Sequence, residues 1–184
     1  KDVSFKKIIT RRKSSRSFTI KQISLNTLST LLHYSAGLKD NSKNKKRFYP
    51  SGGARYPLEL YLIALKTELK KGVYHYYLKS HSLETLYTFE SFDFKRYFNQ
   101  TWIKKSACLI VLSAVFKRSS IKYGNRGYNY TFVEAGHLGQ NIYFMSKALN
   151  LSCCAIGGFI DDRLNELLDL DGVHESVIYV IAVG

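Results

Sequence analysis

Apolar and small residues run almost unbroken from Tyr130 to Leu149, YTFVEAGHLGQNIYFMSKAL, at positions that circle a helix instead of forming one stripe. A helix apolar on every side is one surrounded by protein, so this segment is placed at the centre of the fold. Its polar interruptions, Glu134, His137 and Asn141, are spaced three and then four apart and project from one side. Ala135, Gly136 and Gly139 are too small to fill space, and glycine inside a helix costs about 1 kcal/mol relative to alanine. A second helix, from this chain or from a partner copy, is expected to pack against them.

Elsewhere the pattern changes period from segment to segment. Residues 3 to 10 read as a short helix. Ser24 is placed to cap an amphipathic helix from Leu25 to about Ala36, with Leu28, Leu31 and Leu32 facing inward and Gly37 as its stop. Leu58 to Leu65 and Val73 to Leu78 read as neighbouring strands, with a short return around Leu83 to Tyr87. Residues 92 to 104 are predicted helical, with Phe94, Tyr97, Phe98 and Trp102 as an aromatic inner face. Ala107 to Val115 is apolar on both faces, which belongs to a strand inside a sheet. Residues 116 to 130 read as a basic, aromatic loop that enters the central helix. A short strand over Ser152 to Ile156, a turn at Gly157 and Gly158, a helix from an Asp161 cap to about Leu168, and a buried strand from Val177 to Val183 complete the chain. Helices and strands alternate irregularly, which predicts an α+β fold in one domain over residues 1–184.

Composition narrows the function classes. The longest uncharged apolar run, Ala107 to Phe116, is about half the length of a membrane span. No membrane partner is expected. Cys108, Cys153 and Cys154 suit buried thiols in a reducing, cytoplasmic setting. The five histidines show no ligand spacing with a cysteine, so no metal site is indicated. The first residue is Lys, and the sequence is read as a piece of a longer chain. With 28 basic and 14 acidic residues the net charge is +14. Such a balance draws polyanions (nucleic acid, a membrane surface, acidic protein segments or a phosphate-bearing cofactor), unless it reflects a lysine-rich composition with solvated faces.

Two stretches carry candidate chemistry. In RRKSSRSF, residues 11 to 18, four cations and three serine hydroxyls form a plausible phosphate cradle, with an exposed basic turn as the alternative. In PSGGARYP, residues 50 to 57, two glycines between prolines let backbone amides approach a ligand that a Cβ would obstruct, unless the segment is a plain tight turn. The cationic loop from Lys39 to Tyr49 reads as solvated or partner-contacting. No dinucleotide fingerprint, P-loop or nucleophile elbow is present. Composition and periodicity end at a basic α+β domain with one candidate phosphate cradle, the exposed basic turn remaining the alternative.

Taken in order, RRKSSRSF, PSGGARYPLELY, GVYHY, the IKYG of residues 121 to 124, EAGHLGQNIY and AIGGFIDD resemble the FMN-dependent nitroreductase superfamily, specifically its SagB/McbC-type azoline dehydrogenases. The resemblance spans about residue 8 to 184. It implies a nitroreductase-like fold: a mostly antiparallel central sheet flanked by helices, a buried central helix, and an obligate homodimer with two flavins at its seam. It implies that Arg12, Lys13, Ser14 and Arg16 hold the FMN phosphate and ribityl chain. Pro50, Ser51, Gly52 and Gly53 would approach the flavin ring from the partner subunit, and Ile156, Gly157 and Gly158 would lie against its edge.

The implied reaction removes two hydrogens from a thiazoline or oxazoline ring of a peptide, giving the aromatic azole. A base beside the ring is required, and Lys122 and Tyr123 match the branch's Lys-Tyr pair. Lysine is a poor base unless burial or nearby cations lower its pKa, and Lys117, Arg118 and Arg126 are close enough in sequence to contribute. A cyclodehydratase partner fits the same picture. Two other readings stay open: an NAD(P)H-dependent nitro or quinone reductase on the same fold, and a basic nucleic-acid-binding module, to which the resemblance runs counter.

Overall fold

The computed structural model describes residues 4–19, 21–39 and 46–184. Within them, β1 (Leu58–Ala64), β2 (Gly72–Tyr77), β3 (Ser82–Thr88), β4 (Cys108–Val115), β5 (Cys153–Ile156) and β6 (Glu175–Val183) form one sheet in the order β3-β2-β1-β4-β6-β5. Every pairing is antiparallel. β4 lies between β1 and β6 with Cys108 to Ala114 all buried, which explains why its sequence is apolar on both faces.

Alternation along the strands divides two cores. Leu58, Leu60, Leu62, Ile110 and Leu112 face α2 (Leu25–Ala36) and α4 (Arg126–Ala148). Tyr61, Ile63, Leu109 and Val111 face the other way, onto Ile103 and onto Leu164 and Leu168 at α5 (Asp161–Leu167). The predicted start of α2 is present: the Ser24 hydroxyl accepts from the Thr27 amide. At α5 the cap position falls to Ile160 instead, and Asp161 sits in the first turn, where the helix dipole favours its charge.

Two segments differ from the sequence reading. Residues 92 to 104 are not one helix but two 3₁₀ turns, Phe94–Arg96 and Thr101–Lys105. Phe92, Tyr97, Phe98 and Ile103 all pack in the same core, at offsets that a 3.6-residue period cannot bring to one face. Residues 116 to 130 are not a loop: α3 (Lys117–Tyr123) forms there, ended by Gly124 at φ 54°, and α4 begins at Arg126. Gly127 makes this helical hairpin possible, since a Cβ there would stand 2.8 Å from the Ser119 and Ser120 backbone.

The central helix is covered on one side only within the protomer. Thr131, Ala135, Leu138, Ile142 and Tyr143 are buried, while Phe132 and Val133 remain 54% and 58% exposed. Gly139 admits the Tyr179 ring from β6 and not another helix, and Gly136 faces open space. Two of the three seam residues turn inward: Asn141 donates to the Ser35 and Phe48 carbonyls, and Glu134 stands beside Ser51 and Gly52, whereas His137 is exposed. The three cysteines are buried and unpaired. Among the described residues no helix is long and apolar enough to cross a membrane.

Candidate active site

The basic segment follows α1 (Phe5–Arg11) in extended conformation and is fastened to β5. The Ser15 amide donates to the Cys153 carbonyl, and one tyrosine hydroxyl, that of Tyr143, accepts from the Ala155 amide at 2.8 Å and bonds Ser14 Oγ at 2.9 Å. Arg12 lies over the Tyr143 ring at 5.4 Å and Arg16 over the Trp102 ring at 5.5 Å. Aromatic faces thus hold two guanidinium groups in place while leaving their N–H donors available. Among the described residues Arg12, Lys13 and Arg16 form no ion pair. Gly157 and Gly158 are exposed at the end of β5, and Gln100 Nε2 donates to the Gly158 carbonyl at 2.9 Å. Ile156, by contrast, is 2% exposed and its side chain belongs to the core, so only the two glycines are accessible.

A second set gathers at the glycine turn. Gly53 has φ 59°, and a Cβ there would collide with the Tyr123 hydroxyl and stand 2.8 Å from Lys122 Nζ. Lys122 and Tyr123 therefore converge on Gly53, though Lys122 is 69 positions beyond it in sequence. Tyr123 meets the Tyr130 ring edge-on at 4.9 Å, and Tyr130 also flanks Gly52. Ala54 and Tyr56 adopt positive φ as well, a strained sequence of conformations for residues that carry a Cβ. Neighbouring groups hold it: the Tyr56 amide donates to Ser51 Oγ at 2.7 Å, Arg118 to the Tyr56 carbonyl at 3.2 Å, and Arg55 Nε to the Arg118 carbonyl at 2.7 Å. Pro50 is exposed at the entry to the turn.

Glu134, not singled out as a site residue from the sequence, lies beneath this turn and is 2% exposed. Burial pushes its carboxyl from the ordinary 4.5 up to about 7, against the opposing pull of Ser51, Arg47 and the Gly52 backbone. Its Oε1 has no partner among the described residues. A carboxyl with a raised pKa binds its proton more tightly folded than unfolded, so this group's contribution falls as pH rises from 4.5 through about 7. Glu134→Gln is expected to remove that slope, gaining up to about 3 kcal/mol on wild type between pH 5 and pH 8, as read from urea midpoints. Parallel midpoint shifts in both proteins would show that Glu134 does not titrate in this window.

The lining of the adjacent sheet end was also not legible in the sequence. Glu59 on β1 pairs with Arg118 of α3 and with His75 of β2, and His75 reaches Glu84 as well. Burial opposes ionisation of Glu59, but His75 and Arg118 together hold its carboxyl below the usual value. The hydrogen bond to Glu59 in turn raises His75. Arg118 is thereby committed to Glu59, which offsets the charge expected to act on Lys122.

The two candidate sets lie at opposite ends of α4. Tyr130 and Tyr143 are thirteen residues apart, or about 20 Å along the axis. Residues 9–184 match the nitroreductase family, and the chain belongs to it. Within that family the similarity extends to peptide-processing proteins of the McbC type. It is 28% identical over 186 residues to a Methanocaldococcus jannaschii protein provisionally named a nitroreductase, MJ1384, covering 100% of this chain and 91% of that one. It is 27% identical over 158 residues to the microcin B17-processing protein McbC of Escherichia coli, covering 82% of this chain and 58% of McbC, so a large part of McbC has no counterpart here. Its fold matches a chain in the structure of the E. coli microcin synthetase McbBCD complex with truncated pro-MccB17 bound, at TM-score 0.78 and 23% identity, covering 100% of this chain and 73% of that one. Membership of the family makes the protein an oxidoreductase, and nitroreductase-family proteins commonly bind FMN.

Proposed function

We propose that the protein is an FMN-dependent azoline dehydrogenase that acts as a homodimer and oxidises thiazoline or oxazoline rings of a peptide to azoles. The observation that carries this reading is the convergence of Lys122 Nζ and Tyr123 Oη on Gly53, a basic group and a hydroxyl over a backbone stretch bare of side chains. Similarity to the microcin B17-processing protein McbC supports a peptide as substrate.

The residues present fit a flavin mononucleotide. Arg12, Lys13 and Arg16, unpaired among the described residues, with the Ser14 hydroxyl, suit its phosphate, and exposed Gly157 and Gly158 leave room for a flat ring. When bound, the flavin supplies the acceptor for two electrons. Lys122 takes the proton from the ring carbon next to the carbonyl, Tyr123 orients the lysine, and the strained 53–56 turn holds both against a surface that cannot shift.

Dimerisation explains why the two sets of residues are separated. A two-fold axis crossing α4 midway between Tyr130 and Tyr143 passes near Gly136, where a Cβ would meet nothing within 4 Å. It would reverse a second α4 against the first and carry the Gly53 end of one copy to the Arg12 end of the other, burying Phe132 and Val133. The direct test is to incubate purified protein with a synthetic azoline peptide and follow the product by mass spectrometry. Loss of two hydrogens without added nicotinamide is expected; flavin reduction by NAD(P)H with an untouched ring would assign the protein to the nitro or quinone reductases instead. A basic nucleic-acid module predicts no bound chromophore.

A further inference from the structure

An open cavity of about 640 Å³, lined by Arg55 and Arg118 among others, lies at the end of the sheet where β1 begins and β2 ends. That is the size of a ligand pocket, not of a single ion. Its floor carries Glu59 and Glu175, and both are already engaged: Glu59 by Arg118 and His75, Glu175 by Ser113 and Tyr61. Its walls carry Arg47, Arg55 and Lys79, which form no ion pair among the described residues. Arg47 is fixed by donating to the Tyr49 hydroxyl at 2.7 Å and the Leu58 carbonyl at 3.0 Å, with Tyr56 under its guanidinium at 4.8 Å. A concave, tyrosine-walled site with three unpaired cations against one carboxylate, Glu175, that is hydrogen-bonded by neutral hydroxyls keeps a positive balance complementary to an added carboxylate.

The cavity is also within reach of the chemistry. Arg55 lies two residues beyond Gly53, at most about 7 Å of chain, and Arg118 is one turn before Lys122 on α3, about 6 Å. A peptide whose ring is presented at Gly53 and Lys122 can therefore extend a neighbouring residue into it. We propose that this cavity receives an aspartate or glutamate flanking the ring, so that acidic residues near the azoline select the peptides the enzyme accepts. This rests on the peptide-substrate reading and names the substrate class more narrowly. Of the four lining tyrosines, Tyr61 and Tyr76 are buried and Tyr56 is covered by the Arg47 guanidinium, which leaves Tyr77 as the exposed ring; a single exposed ring suits a side-chain carboxylate better than the stacked bases of a nucleic acid.

The test uses the purified, flavin-bound protein and two fluorescently labelled Gly-Ser peptides, one with two aspartates and one with asparagines in their place. Fluorescence anisotropy at low salt is expected to show the aspartate peptide binding roughly tenfold tighter. Lys79→Gln, on an exposed turn, should lower that ratio, and Arg55→Gln with Lys79→Gln should lower it further, leaving what Arg47 alone contributes. Equal binding of the two peptides by wild type, or a ratio unchanged in Lys79→Gln, overturns the assignment. Displacement of the aspartate peptide by a short oligonucleotide at equal concentration also overturns it, by showing an unselective polyanion surface. The peptides contain no ring, so absence of azoline oxidation leaves this test standing, and failure here leaves the oxidation test untouched.

Discussion

Lys122→Ala is expected to retain FMN and to lose azole formation by about 10²- to 10⁴-fold, the usual contribution of a general base. The residue is exposed near the end of α3 and carries no ion pair among the described residues, so its removal costs the fold little. Its amine stands where a Cβ on Gly53 would be 2.8 Å away, which ties its position to the glycine turn and not to the phosphate-binding set. Lys122→Arg separates two roles. A guanidinium keeps the positive charge but cannot give up its proton near neutral pH, so a base requires Arg to be as inactive as Ala, whereas a purely electrostatic group is restored by Arg. Flavin content follows from the visible spectrum, and single-turnover oxidation of an azoline peptide reads the chemistry. An alanine variant that aromatises the ring at the wild-type rate removes Lys122 from the mechanism.

Replacing Phe132 and Val133 together by arginine is expected to give a folded monomer that has lost FMN affinity by at least about 100-fold. Both side chains are more than half exposed in the protomer, so neither substitution disturbs its core. In a two-fold interface each change occurs twice near the axis, and the cost of desolvating four like charges there exceeds what apolar burial between the copies can return. With the copies apart, Arg12, Lys13 and Arg16 remain at one end of α4 and Gly53 at the other, about 20 Å away. Sedimentation gives the oligomeric state, circular dichroism the fold, and fluorescence titration the flavin affinity. A monomer that binds FMN as tightly as wild type would mean that one copy assembles the whole site.

Much of the fold was legible because its signals are local. Ser24 and Gly37 bracket α2 through contacts with neighbours a few residues away, and the two-sided apolarity of β4 could only suit an interior strand. The glycines at 52 and 53 announced a backbone approached closely, and the structure shows what approaches: Tyr130 at one, Lys122 and Tyr123 at the other. The family resemblance named this pair, but nothing in the local sequence placed it at Gly53. Cations and aromatics over 116 to 130 looked like a loop because the apolar stripe of α3 is thin, and its helix depends on Gly127 letting α4 fold back against it. Glu134 stood out only as an acid in an apolar helix, in a chain with 14 acidic residues. Its altered proton affinity comes from burial under a turn eighty residues earlier.

By itself the sequence determined the strands, the start and stop of α2, the strand that must be interior, and the glycine turn at 52 and 53. Those are set by interactions within a turn or two of the chain, whatever lies beyond. Only the tertiary structure decided which faces meet, that Tyr143 joins Ser14 to β5, that Arg118 is spent on Glu59, and that one side of α4 is left without a neighbour. Such pairings depend on how segments far apart in sequence pack together, and a residue's type does not reveal which of several compatible surfaces will cover it.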